Sequence, residues 1–250
     1  MLHFLESITR WEAFGLFLFE NVIIVVVTLL ISNWLTYGLS IKQLSKLVDT
    51  LTSKEVLLAF TSVIINTIIT YAGYECWKSG YIQFDESISY RIVVDSLILI
   101  LTMDAVMFFL HYIVHRTFLY SIVHKLHHMY TNPQPIDLFV LHPFETFSFG
   151  SLWVILLLVF PANLYAVILY LILNVIFGML GHMNIELFPA NWVRIPIVKQ
   201  IATATFHYQH HQNEQYNFGF YTTFWDSLFG TLAPDYMEQF QRNREQSKER

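Results

Sequence analysis

The sequence has few cysteines and few charges, and both shortages limit what the protein can be. With Cys76 as its one cysteine, the chain cannot form an intrachain disulfide or a thiolate metal site, so any metal must be held by His, Asp or Glu. Only 13% of the residues are charged, and a net charge of −5 argues against nucleic acid as a partner. No polar linker interrupts residues 1–230, which predicts one domain over residues 1–250.

Apolar residues dominate instead. A chain that is 55% hydrophobic, with a mean hydropathy of +0.47, is typical of an all-α integral membrane protein. Residues 14–37, 56–77 and 92–111 are each long enough to cross a bilayer as a helix. The stretch 147–180 is too long for one crossing and contains Pro161. We therefore expect about three spanning helices followed by a proline-broken helical hairpin.

Histidines are concentrated in one part of the chain. Ten of the eleven, all but His3, lie between positions 111 and 211. At about 100° per residue, the H-x3-H and H-x2-HH spacings turn the imidazoles of one cluster toward one point on a helix. The second and third clusters share one spacing, which predicts two metal ions. The expected ligands are His111, His115, His124, His127, His128, His182, His207, His210 and His211.

The order of the clusters constrains the topology. Two histidine clusters precede the predicted hairpin and the third follows it. The three clusters can form one site only if the hairpin returns the chain to the side of the membrane on which the first two lie. A straight helix would turn His115 and His124 to opposite sides, so we expect a bend near residues 117–120. Together these steps predict a helical cap on one membrane face that holds a site for two metals.

Basic residues predict which face this is. On the histidine side the topology places Lys42, Lys46, Lys54, Arg116, Lys125, Arg194, Lys199, Arg242, Arg244, Lys248 and Arg250. On the other side it places only Arg10, Lys78 and Arg91. Because positive charge accumulates in cytoplasmic loops, we expect the metal site to face the cytoplasm, in a bacterial inner membrane or the endoplasmic reticulum.

Other polar residues are candidates for supporting roles. Asp104 lies two helical turns before His111 and could orient a ligand imidazole or a nearby backbone group. His142 could bind metal, orient a ligand or end a helix, and Asn184 could orient a ligand or water. Asp226 is expected to brace the turn behind the third cluster.

Three further features lie outside the clusters. Residues 185–206 carry two prolines among apolar residues and are predicted to form helices along the membrane surface. Residues 239–250 are polar and are expected to be a solvated or frayed helix end. Glu20, Asn21 and Asn66 lie within or beside predicted spans, and a charge facing lipid is costly, so we expect them to face protein or an interface.

The ligand set narrows the chemistry. The sequence has no H-E-x-x-H motif, which argues against that class of zinc hydrolase. A metal transporter would place its ionisable ligands along a path at mid-membrane, whereas these histidines gather at one face. Eight or nine neutral nitrogens leave two metals positively charged with open positions, a setting suited to oxidising a bound substrate with dioxygen. Fe, Zn, Cu and Ni all accept imidazole.

Five motifs occur in an order typical of a known family. They are HYIVHR, HKLHH, LHPFE, GHMNIELFP and HYQHHQNEQYNFGFYTTFWDSLFGT, and they cover about residues 104–231. The set resembles the fatty acid hydroxylase/sterol desaturase superfamily of membrane histidine-box di-iron oxygenases. The last two motifs are similar to its sterol desaturase-like branch.

The resemblance implies an enzyme that uses two iron ions and O2 to hydroxylate or desaturate a lipid of sterol or fatty-acyl type. The nine histidines would be both metal ligands and catalytic residues. A separate cytochrome b5-like or ferredoxin-like carrier, with a reductase, would supply electrons. An ether-lipid monooxygenase and a non-catalytic membrane binding protein stabilised by zinc stay open as alternatives, and zinc could also replace iron during purification.

Overall fold

The computed structural model describes residues 2–45 and 51–245, and these residues are mostly helical, as predicted. The α-helices are α1 (Leu2–Ser7), α2 (Arg10–Gly38), α3 (Ser53–Lys78), α4 (Arg91–Arg116), α5 (Lys125–His128), α6 (Pro143–Val159), α7 (Leu164–Gly181), α8 (Ala204–Gln212), α9 (Phe224–Phe229) and α10 (Tyr236–Glu245). A π-helical turn occupies Tyr120–His124, and a 3-10 turn occupies Pro135–Leu138. Two-residue strands, β1 (Phe84–Asp85) and β2 (Ala162–Asn163), pair in parallel.

Among the described residues, four helices are long and apolar enough to cross a membrane: α2, α3, α4 and α7. The three predicted spans fall within α2, α3 and α4, and each helix extends further at both ends. Capping explains where α2 and α3 begin. Thr9 with Glu12 at α2, and Thr52 with Glu55 at α3, form reciprocal capping boxes that satisfy otherwise free backbone N–H groups.

The predicted hairpin is confirmed, with α6 and α7 as its arms. The turn at Pro161 lies beside the start of α4, where the Arg91 guanidinium donates to the Pro161 carbonyl at 3.2 Å. The Asn163 backbone N–H donates to Asp95 at 2.7 Å, and the Asn163 side chain caps α7. The second arm therefore starts at the same end as α4 and returns the chain to the end that carries His111.

Packing joins α2 to α3, α3 to α6 and α4 to α7. The main apolar core lies between these helices and includes Ile69, Leu99, Met103, Val154, Leu157, Val167 and Tyr170. Large side chains on the outer faces, such as Leu30 and Trp34 of α2, are exposed. An exposed apolar belt on helices of this length is what contact with lipid requires.

The predicted bend after the first histidine pair is also confirmed. Helix α4 ends at Arg116, Thr117 adopts an extended backbone, and the chain re-enters helical structure through the π-turn. Helix α5 follows without a break and ends at His128.

Beyond the clusters, one prediction was wrong and another was wrong in part. Residues 185–206 contain only the short 3-10 turns Trp192–Arg194 and Val198–Gln200 before α8 begins, so this segment is mostly loop. Its two prolines interrupt helical hydrogen bonding, and Ala202 N–H instead donates to the Tyr221 carbonyl at 2.9 Å.

The polar tail is the end of a helix as predicted, since residues 239–245 belong to α10, but one face of it is buried. Tyr236 and Phe240 lie four residues apart on one face of α10, and Phe240 is fully buried in a small core that also contains Phe206 of α8. Residues 246–250 of the tail, and the basic residues Lys46, Lys248 and Arg250, lie outside the described residues.

Candidate metal centre

The structure brings all nine predicted ligand histidines together, in two groups. In each group, the potential ligand nitrogens all lie within 4.8 Å of one another. The five-histidine group consists of His111, His115, His124, His128 and His210. The four-histidine group consists of His127, His182, His207 and His211.

The five-histidine group is assembled from three segments. His111 and His115 are one turn apart on α4, and their Nε2 atoms are 3.1 Å apart. His124 comes from the π-turn, and its Nε2 lies 2.9 Å from that of His111 and 3.1 Å from that of His128. His210 of α8 completes the group, with its ring centroid 4.6 Å from that of His111.

The four-histidine group is built around α8 and the end of α7. The Nε2 atom of His207 lies 3.0 Å from that of His211 and 3.2 Å from that of His182. His127 of α5 closes the group, with its ring centroid 4.6 Å from that of His211.

The matching spacing of the second and third clusters suggested that each cluster would bind one metal, but the structure divides each of them between the two groups. Each H-x2-HH cluster contributes histidines to both groups. The cause is helical geometry: positions i and i+4 differ by about 40° around the axis, whereas i+3 and i+4 differ by about 100°. His124 and His128 therefore face one point, and His127 faces the other. In the third cluster the same geometry pairs His207 with His211 and sends His210 to the five-histidine group.

Backbone carbonyls fix the orientation of three rings. Nδ1 of His111 lies 2.8 Å from the Phe218 carbonyl, Nδ1 of His182 lies 2.8 Å from that of Gly178, and Nδ1 of His210 lies 2.7 Å from that of Tyr216. A carbonyl oxygen only accepts, so each Nδ1 carries the proton and donates it. The Nε2 atom of each ring is therefore left with a lone pair that faces its group.

These groups fit metal ions. Metal–imidazole bonds of about 2.1 Å at right angles place neighbouring nitrogens about 3.0 Å apart, close to the separations of 2.9 to 3.2 Å seen here. Nε2 of His210 is buried and has no hydrogen-bond partner among the described residues. Burial lowers the pKa of His207, His210 and His211 well below the usual value, so these rings are neutral, the form that binds metal.

Glu145 is a site residue that the sequence analysis missed. Its Oε1 lies 2.6 Å from Nδ1 of His124, and both side chains are buried. Its Oε2 has no hydrogen-bond partner among the described residues. Its place in the LHPFE motif could have indicated this role, because there a carboxylate in the first turn of α6 follows a histidine and a proline.

Two other carboxylates hold the loop behind the histidines. Asp104 accepts from the backbone N–H groups of Tyr221 and Thr222, both at 3.1 Å, rather than from an imidazole. Asp226 accepts from the N–H groups of Phe218 at 2.8 Å and Gly219 at 2.7 Å. Both therefore position the loop whose Phe218 carbonyl holds His111, and Asp226 braces the turn as predicted.

His142 and Asn184 lie outside both histidine groups. His142 caps α6, where its Nδ1 accepts from the Phe144 N–H at 3.3 Å, which corresponds to the helix-end alternative. The Asn184 side chain joins the segment after His182 to Ser45, accepting from the Ser45 N–H at 2.9 Å and donating to its carbonyl at 2.8 Å.

A cavity of about 810 Å³ extends from the histidines between the membrane helices. Apolar side chains of α2, α3, α4, α6 and α7 form most of its wall. Its histidine end is lined by His111, His124, His127, His182 and His207. Cavities of this size and composition are typical of sites for small apolar ligands.

Comparison with known proteins agrees with this arrangement. The family described as fatty acid hydroxylase matches residues 96–231. Methylsterol monooxygenase 1 of Gallus gallus is 30% identical over 128 residues, which cover 51% of this chain and 42% of that protein. Delta(7)-sterol 5(6)-desaturase of Leptosphaeria maculans is 27% identical over 139 residues, covering 56% and 37%.

Lathosterol oxidase of Homo sapiens is 24% identical over 175 residues, covering 66% of this chain and 56% of that protein. The chain thus spans 37 to 56% of the length of these three relatives. No solved structure matches the chain. The family match covers more than half of the sequence and every histidine of the two groups, and it confirms the resemblance seen in the motifs: this chain belongs to the fatty acid hydroxylase family.

Proposed function

We propose that the protein is a membrane-bound oxidoreductase that uses O2 to hydroxylate or desaturate an unactivated C–H site of a lipid. The observation that carries the proposal is the position of two histidine groups at one end of a large apolar cavity. Metal ligands beside an apolar binding space suit the oxidation of a hydrocarbon, which offers no polar group for acid–base attack.

The metals would be two iron ions, one held by the five-histidine group and one by the four-histidine group. Iron bound to neutral imidazoles supplies a redox-active centre that can use dioxygen. A cytochrome b5-like or ferredoxin-like carrier with its reductase would deliver the electrons. The same nitrogens also accept zinc, so a preparation that contains zinc is compatible with an iron enzyme.

The protein's own contribution is positioning and exclusion of water. Carbonyl contacts at Nδ1 fix the rings of His111, His182 and His210 so that their Nε2 lone pairs face the two histidine groups that would hold the metals. The apolar wall excludes water and holds the substrate so that one C–H bond lies at the histidine end. Whether a hydroxyl group or a double bond results depends on how that carbon is held.

The substrate class is supported by the cavity and by the relatives. The apolar cavity lies among helices that are long enough to span a membrane. A cavity in that position is accessible to lipids rather than to water-soluble molecules. The matched proteins include one named as a methylsterol monooxygenase and one named as a Delta(7)-sterol 5(6)-desaturase. We propose a lipid of the sterol or fatty-acyl type.

We also propose that the metal centre faces the cytoplasm. Many described basic residues lie in or directly after the elements that carry the histidines or pack on them: Arg116, Lys125, Arg194, Lys199, Arg242 and Arg244. The opposite helix ends carry Arg10, Lys78 and Arg91. This asymmetry is the one that the positive-inside rule associates with a cytoplasmic face.

The test compares lipids from cells with and without the protein, alongside metal analysis of protein purified anaerobically under reducing conditions. We expect about two irons per chain and an oxidised lipid that appears only with the wild type. His127→Ala and His210→Ala should abolish the product while the protein still inserts in membranes, and His3→Ala, which alters an exposed histidine, is the matched control. Full turnover by either variant contradicts the proposal.

Two results would favour the alternatives. Zinc as the sole metal, with no lipid oxidised after reconstitution with iron, indicates a zinc-stabilised binding protein. Loss of ether lipids in the expressing cells, with sterols and acyl chains unchanged, indicates an ether-lipid monooxygenase.

A further inference from the structure

Polar side chains line the cavity at a distance from the histidines. Glu20 and Asn21 of α2 face it, and so do Asn66 of α3 and Asn174 of α7. A carboxyl group within a membrane-spanning helix is costly unless a partner compensates it, and such residues usually have a function. Glu20 makes no hydrogen bond or ion pair with any described residue, and the proposed reaction does not use it.

Helix geometry places Glu20 and Asn66 at one depth. The Arg10 guanidinium contacts Glu75 at 3.0 Å, which aligns the start of α2 with the end of α3. Glu20 lies ten residues beyond Arg10 and Asn66 lies nine residues before Glu75, so both are about 14 to 15 Å from that contact along their helices. The polar residues of α2 and α3 therefore form a level within the membrane.

The histidines lie deeper toward the other face. Along α7, Asn174 precedes His182 by eight residues, about 12 Å. Along α2, the cavity wall continues from Glu20 to Ile31, about 16 Å in the same direction. A molecule held at the polar level can therefore reach the histidines only through an apolar body that spans the cavity between them.

The free polar atoms on α2 are acceptors. Asn21 donates its Nδ2 to the Phe17 carbonyl at 2.9 Å, which leaves its Oδ1 to accept. The neighbouring Glu20 carboxyl adds further acceptor oxygens. The complement of these atoms is a hydrogen-bond donor. A hydroxyl fits better than an ammonium group, because moving a charged amine into this apolar space costs far more.

We propose that Glu20 and Asn21 bind the hydroxyl group of a lipid whose apolar body fills the cavity and whose far end reaches the histidines. This inference rests on the proposed function, and it specifies a substrate with a hydroxyl group remote from the carbon that is oxidised. A plain acyl chain would bring a methyl group to this level and leave Glu20 without a partner, so it is the poorer occupant.

The test measures binding to the metal-free protein in detergent, with three probes on one ring system: cholesterol, cholestane, which lacks the hydroxyl group, and 3-aminocholestane. Trp153 lines the cavity, so its fluorescence reports occupancy. We expect the wild type to bind cholesterol about tenfold more tightly than cholestane, the effect of one hydrogen bond to a charged or buried acceptor. Glu20→Leu and Asn21→Leu should reduce that ratio toward one.

Glu20→Gln retains an acceptor and should keep part of the preference. Phe19→Leu is the matched control, because Phe19 is 64% exposed and adjacent in sequence but does not line the cavity. Removing a charge from a membrane helix favours insertion, so loss of folding does not explain a loss of preference in Glu20→Leu.

Three outcomes overturn the inference: equal or absent binding of cholesterol and cholestane to the wild type, tighter binding of the amine, or an unchanged ratio in Glu20→Leu. Because binding is read without iron, the result is separate from turnover. A hydroxyl preference in a protein that oxidises no lipid when loaded with iron would contradict the proposed function and leave this binding site in place.

Discussion

His127 and His128 are adjacent in the chain yet contribute to different histidine groups. Successive helical residues are rotated by about 100° around the axis, so these two side chains leave the helix in different directions. A pair of neighbouring side chains can therefore report on the two groups separately.

Alanine at either position should remove one bound metal and leave the other. His128→Ala opens the five-histidine group and His127→Ala opens the four-histidine group, so metal content should fall by about half in each variant. The double variant should bind almost none. Inductively coupled plasma mass spectrometry of the purified proteins measures this, and a double variant that keeps as much metal as either single variant would place both histidines in one group.

Glu145 holds His124 from behind, and its removal should weaken the five-histidine group. Glutamine in place of Glu145 keeps the shape but replaces the carboxyl oxygen 2.6 Å from His124 Nδ1 with an amide group. Loss of such partners typically lowers metal affinity about 10- to 100-fold. Competition with a chelator of known affinity measures the change in Glu145→Gln.

The control for this variant is Glu238→Gln, which alters an exposed carboxylate paired with Arg242 on α10. An affinity in Glu145→Gln equal to that of Glu238→Gln would show that the contact with His124 does not support metal binding.

At the scale of elements, the loop between α8 and α9 is held from two sides. Asp104 reaches it from α4, and Asp226 reaches it from the first turn of α9. The loop in turn presents the carbonyls of Tyr216 and Phe218 to His210 and His111. The loop between α8 and α9, which supplies no metal ligand, thus fixes the orientation of two imidazole rings.

Gly219 makes this tight loop possible, and alanine there should destabilise the protein. A Cβ atom at Gly219 would lie 2.2 Å from the Thr222 carbonyl oxygen, which is backbone and cannot move independently. Relieving such a clash costs about 1–3 kcal/mol, so the melting temperature should fall by several degrees.

Gly15→Ala serves as the comparison in the same thermal unfolding assay. Gly15 lies within α2, and a Cβ atom there would meet no other atom within 4 Å. Alanine is also the better helix former, so the melting temperature of this variant should not fall. Equal melting temperatures for the two variants would show that the loop adjusts without cost.

Elements differ in how far the sequence predicted them. The membrane helices, the break at Pro161 and the bend after Arg116 followed from apolar length, proline and histidine spacing, all of which act locally. Residues 185–206 were wrongly predicted as surface helices because two prolines interrupt the segment and its end, at Gln200 and Ala202, hydrogen-bonds to the distant residues Thr223 and Tyr221. The buried face of α10 was missed for the same reason, since Phe206 comes from another helix.

At the scale of the molecule, the histidine groups join α4, α5, α7 and α8 at one end of the helices. Metal-free groups bring lone pairs to about 3 Å of one another, so metals should stabilise this end selectively. The apolar core between α4, α6 and α7 contains no histidine, so its stability does not depend on the metals.

Removing the metals should therefore loosen the histidine end and leave the membrane core intact. After chelation, we expect faster hydrogen exchange in Lys125–His128 and Ala204–Gln212 than in the metal-loaded protein. Exchange in the buried part of α7 is the internal control and should not change. Hydrogen–deuterium exchange with mass spectrometry measures both, and an equal rise in all helices, or none, would show that the groups do not hold this end together.

The sequence by itself determined the membrane class, the hairpin and the set of nine histidines, because apolar length and helical spacing are properties of contiguous residues. The tertiary structure alone decided how the histidines divide into five and four, that Glu145 contacts His124, and that Glu20 faces a cavity that ends at the histidines. These relations join residues that are far apart in sequence, and only the packing of helices fixes the directions in which their side chains point.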